Sequence, residues 1–97
     1  MKPRELSIPE QTATDSSAFE ILRVWIVDGN QVVNIKVEAW DDPAAWGLLL
    51  ADLARHIAHA YADLRKDNSS NVLSRIWQGF DVEMRNPTDN PSGGLVE

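Results

Sequence analysis

The sequence predicts an α+β fold, an antiparallel β-hairpin followed by two α-helices packed on one of its faces, and three observations carry that expectation. Residues 19–27 and 32–40 are dense in β-branched and aromatic side chains and flank Asp28-Gly29-Asn30, which is turn chemistry between two strands. Residues 42–66 open with Asp42-Pro43 and then repeat apolar side chains at three- and four-residue steps. Residues 68–85 do the same behind Asn68, Ser69 and Ser70, each of which suits a helix N-cap.

The elements follow in order. Residues 1–17 mix Pro3, Pro9 and a Thr, Asp and Ser cluster with few apolar residues, which predicts an extended arm in which Leu6 and Ile8 are the docking points. In the hairpin, Leu22, Val24 and Ile26 share one face of the first strand, and Val33, Ile35, Val37 and Ala39 share one face of the second. A Gly29-Asn30 loop sets Ile26 opposite Val33 and Val24 opposite Ile35, whereas an Asp28-Gly29 loop sets Gln31 opposite Ile26. Side-chain matching favours the first register.

Pro43 suits the first helical position and makes Asp42 the natural N-cap of the long helix. Trp46, Leu49, Leu50, Leu53, Ile57, Ala60, Tyr61 and Leu64 form a stripe expected to face a core. Arg65 and Lys66 oppose the negative end of the helix dipole, and Asn68 is suited to the left-handed residue that stops the helix. In the last helix Val72, Leu73, Ile76, Trp77, Phe80 and Met84 recur with helical spacing up to Asn86-Pro87. The organisation is thus an arm over 1–17, one α+β domain over 18–85 and a mobile tail over 86–97, too poor in apolar residues to offset its ordering entropy.

Composition narrows the function classes. Ninety-seven residues make one domain. A net charge of −6 repels a phosphate backbone, and the nine basic residues form no stripe, which argues against nucleic-acid binding. The absence of cysteine excludes disulfides, thiolate metal sites and thiol nucleophiles, and fits a reducing compartment. With no apolar run of signal-peptide or membrane-span length, a cytoplasmic protein without membrane association is expected.

A partner is expected as well. Two strands alone are marginal, and both outer edges of a lone hairpin keep unpaired N–H and C=O groups. The economical solution is a homodimer sharing one sheet, with Arg23 and Trp25 on the face turned away from the helices. A stripe of small residues, Gly47, Ala51, Ala54, Ala58 and Ala62, would let another helix approach closely, so Gly47, Ala51 and Ala58 join Arg23 and Trp25 as interface candidates. Alanine's helix propensity is the plain alternative for the stripe, and an arm strand added in cis is the alternative for the edge.

For chemistry, Asp52, His56, His59 and Asp63 lie at steps of four, three and four on one side of the long helix, where carboxylates and imidazoles could hold a divalent metal. One helix seldom supplies a full shell, and pairing of each His with an Asp one turn away is the plainer account of the pattern. Trp40, Trp46 and Trp77 suggest a third function, binding of a small apolar ligand, although aromatics at such spacing are more often core. No phosphate loop, nucleophile elbow or catalytic set is present, so no catalytic or cofactor-binding residue is assigned and a non-enzymatic interaction module is expected.

The run Asp42-Pro43-Ala44-Ala45-Trp46-Gly47, continuing through Leu50-Ala51-Asp52 to Ala54-Arg55-His56, together with Pro3-Arg4-Glu5-Leu6 and the segment Ile76 to Phe80, resembles the small bacterial domain-of-unknown-function family 5076. That resemblance implies a compact bacterial protein and carries no activity, cofactor or catalytic set.

Overall fold

The computed structural model describes residues 2–88 and the backbone of 92–95. A one-turn helix α1 (Gln11–Thr14) interrupts the N-terminal arm. β1 (Leu22–Val27) and β2 (Asn30–Ile35) then form a hairpin, a 3₁₀ turn occupies Val37–Ala39, and α2 (Ala44–Arg65), α3 (Ser69–Arg85) and β3 (Ser92–Leu95) complete the order. The hairpin followed by two helices stands as the sequence predicts.

The register is the other of the two considered. Val27 pairs with Asn30, Val24 with Val33 and Leu22 with Ile35, so Gln31 lies opposite Ile26. Turn chemistry decides it. A two-residue loop that matches the twist of its strands needs positive φ at both positions, and Asp28 (φ 52°) with Gly29 (φ 79°) supplies it. That preference outweighs the better side-chain matching of the alternative. The second strand also ends earlier than expected, at Ile35, where Lys36 donates its N–H to the Ile21 carbonyl at 2.9 Å before the chain tightens into the 3₁₀ turn.

β3 runs parallel to β2, with Val33 beside Gly93 and Ile35 beside Leu95, giving the sheet order β1-β2-β3. Part of the stretch expected as a mobile tail therefore covers one hairpin edge in cis; residues 89–91 and 96–97 of that stretch lie outside the described residues.

Asp42 caps α2, its Oδ1 accepting the Ala44 N–H at 3.0 Å while Pro43 already has helical φ and ψ. At the other end Lys66, not Asn68, takes the left-handed conformation (φ 60°). The connection is too short to spare Asn68, which caps α3 by accepting the Asn71 N–H at 3.1 Å. α3 ends with Asn86 donating to the Val82 carbonyl and Thr88 binding the Glu83 carboxylate through its N–H (2.8 Å) and hydroxyl (2.7 Å).

α2 packs on α3, and the three strands pack as a ribbon, but among the described residues the helix pair makes no extensive close contact with the hairpin. The expected packing of both helices on one hairpin face is at most slight among the described residues. Trp40 and Trp46, 5.0 Å apart and edge to face, join the segment after the 3₁₀ turn to the first turn of α2, a contact worth about 0.5–1.5 kcal/mol beyond its buried area. No helix is long and apolar enough to cross a membrane among the described residues.

Candidate functional site

α2 has a closed side and an open one. Ala58, only 2 % exposed, is the one buried apolar residue among the described residues, with Ala54 and Ala62 half-buried one turn away on either side. α3 is the element packed on α2, so this stretch of small residues is where the two helices meet; Gly47 and Ala51, nearer the start of the same stripe, remain exposed. The adjoining stripe was expected to be core. In one subunit Trp46, Leu49 and Leu53 are half-buried, but Leu50, Ile57, Tyr61 and Leu64 are exposed. On α3, Trp77 (65 % exposed) stacks on Phe80 at 5.3 Å, with Met84 exposed one turn further on.

The ribbon shows a matching contrast. Leu22, Val24 and Ile26, with Ile35, Val33 and Gln31 across from them in turn, make one face that is apolar except for Gln31, and Val24 and Ile26 are more than half exposed. The opposite face carries Arg23 and Trp25, both half-buried. Here the arm intervenes: Arg23 is held by Glu20 through Nε and Nη2 at 3.0 and 2.9 Å, and by Glu5 of the arm through Nη1. The Glu20 and then the Glu5 hydrogen bonds raise the already high affinity of this guanidinium for its proton. Arg23 is thus engaged within its own chain. Between arm and β1 an open groove of about 1260 Å³ is lined by Leu6, Ile8, Phe19, Leu22, Val24 and Ile26 among others.

The His and Asp row on α2 does not converge. No group of three or more His, Cys, Asp or Glu side chains is placed to hold a metal among the described residues, and Asp52 pairs with Arg55 at 3.1 Å on the same helix surface. Successive residues four, three and four apart lie side by side along the helix, and among the described residues no second element completes a metal-holding group with them. The tryptophans expected around a ligand are split between the Trp40–Trp46 pair and the Trp77–Phe80 stack, and none of the three lines the groove.

Sequence reasoning placed Leu50, Ile57, Tyr61, Trp77 and Phe80 in a core, whereas all five are exposed. Leu6 and Ile8, expected as the docking points of the arm, are 92 % and 63 % exposed.

The fold and these surfaces define a small α+β protein whose helices and ribbon each carry exposed apolar side chains among the described residues. Residues 5–88 match the family described as Domain of unknown function (DUF5076), and the chain belongs to that family. A solved structure from the photosynthetic bacterium Rhodopseudomonas palustrus CGA009, described as a "putative pyruvate dehydrogenase", is similar over 99 % of this chain and 98 % of that one, at 32 % identity and a TM-score of 0.76. No curated protein matches.

Proposed function

We propose that this protein is a non-enzymatic interaction module whose first partner is a second copy of itself, working in the bacterial cytoplasm. The observation that carries this reading is surplus surface that includes many large apolar side chains. The chain exposes 8676 Å², whereas a compact monomer of its mass exposes about 5,500 Å². Its radius of gyration is 15.5 Å against about 12.5 Å for a compact domain of this length. The open arm accounts for part of the excess, and the bare stripes of α2 and α3 and the bare face of β1 account for the part that water disfavours.

Soluble monomers rarely leave contiguous apolar patches larger than a few hundred Å². Burying a third of the surplus on each of two copies makes an interface of about 2,000 Å², the size that permanent homodimers use. The activity in the name of the Rhodopseudomonas relative stays with that protein. Light scattering behind size exclusion tests the reading: a species of twice the 10.8 kDa chain mass is expected, and a monomer persisting into the high micromolar range rejects it.

A further inference from the structure

We infer that in this two-copy assembly each subunit's helix pair seats on the apolar face of the other subunit's β-ribbon, so that the two copies exchange covers. The inference rests on the homodimer reading and adds which surface meets which. Leu22, Val24, Ile26, Val33 and Ile35, with Gln31 at one end, form a sheet face on which the helices make no extensive close contact among the described residues, while Ile57 and Tyr61 on α2 and Trp77 and Phe80 on α3 belong to helix stripes that are exposed. A sheet face and a helix stripe are the complementary surfaces from which layered α+β domains are built, and one chain holds both without joining them.

Matching like with like solves only part of the problem. Helix pair against helix pair leaves both ribbon faces in water. Ribbon joined to ribbon through the free edges of β1 adds backbone hydrogen bonds, yet leaves both the sheet faces and the helix stripes bare. Reciprocal exchange covers all of them at once and closes under a two-fold axis, as exchange of identical elements does generally. The groove beside β1 adds room for it. Leu6, Ile8 and Phe19 line it with Val24 and Ile26 and also with Arg23 and Trp25 of the other face, giving the Trp77–Phe80 stack of a second copy a seat that opens to solvent in the lone subunit.

The connection suits such an exchange. Residues 36–43 carry the chain from β2 to α2, and the Trp40–Trp46 contact within this segment and the first turn of α2 fixes the direction in which the helix leaves the ribbon.

Mixed dimers decide the matter. Subunits carrying ¹³C-labelled methyl groups are combined with unlabelled ones, and contacts between chains are read by isotope-filtered NMR on the unaltered protein. Contacts from the Val24 and Ile26 methyls of one chain to the Trp77 and Phe80 rings of the other are the expected result. In parallel, Val24→Cys subunits mixed with Trp77→Cys subunits are expected to form a disulfide-linked pair on oxidation, in a chain that otherwise has no cysteine. A dimer whose inter-chain contacts run only from ribbon to ribbon, or only from helix to helix, overturns the exchange and leaves the homodimer standing. A monomer at every concentration removes the homodimer and the exchange together.

Discussion

The two sides of α2 are built from the same helix and end differently. Around Ala58 the side chains are small, α3 comes close, and the surface is closed within the chain. A quarter-turn away Leu50, Ile57, Tyr61 and Leu64 are large, apolar and open to water. The ribbon repeats the contrast, its charged face with Arg23 tied to the arm and its apolar face left bare. In both halves the chain completes the weaker apolar surface by itself and leaves the stronger one unfinished. Burial of each large side chain stabilises by about 1.5–3 kcal/mol, so the open surfaces hold most of the hydrophobic free energy still available.

The sharpest way to break this comparison is to spoil the open side on both helices. Ile57→Asp combined with Trp77→Ser removes two apolar anchors and is expected to weaken self-association by about two to four orders of magnitude, measured by sedimentation equilibrium. An unchanged association constant would mean that these stripes are not the contact. On the closed side, Ala58→Leu overpacks the helix–helix contact and should cost about 1–3 kcal/mol in urea unfolding. The same change at exposed Ala51 should cost under about 0.5 kcal/mol, and an equal loss there would show the small-residue stripe closed along its full length.

Gly29→Ala separates ribbon from helices. Nothing lies within 4 Å of the added methyl group, so the cost is conformational, about 1 kcal/mol for a residue at positive φ. Hydrogen exchange should quicken in β1 and β2 while α2 and α3 keep their protection. The smallest effect concerns Glu83, whose carboxylate is held below the ordinary 4.5 by the Thr88 backbone N–H and hydroxyl. A depressed folded value means that this tie is complete above the ordinary value and is lost as pH falls through the folded one. NMR titration should place the Glu83 midpoint below 4.5, and Thr88→Val should move it part of the way back.

Local chemistry was the legible part of this fold. Asp42-Pro43 and Asn68 mark helix starts because capping depends on neighbours three residues away or fewer, and α3 follows its apolar spacing to Arg85. The hairpin register was misjudged because cross-strand matching was weighed above the strict demand of the Asp28-Gly29 turn for positive φ. β3 was illegible for a different reason. Ser92-Gly93-Gly94-Leu95 carries no strand propensity, and its pairing with Val32–Ile35 spans some sixty positions of sequence. As for the site, amphipathic spacing announces that a helix side wants cover, but it is silent on whether the cover comes from the same chain, which is why Leu50, Ile57 and Trp77 read as core. The His56 and His59 row shows the converse, since helical spacing aligns residues without making them converge.

Because Ser92–Leu95 lies along β2, the ribbon offers stray polypeptide no long, flat border. One margin ends in a four-residue strand with two adjacent glycines, a poor template for further backbone pairing; the other, along β1, is flanked by the arm and the charged cluster of Glu5, Glu20 and Arg23. Short margins and flanking charge are what keep sheets from growing into cross-β fibrils, so a chain with this much oily surface is guarded at the two places where runaway polymerisation would begin.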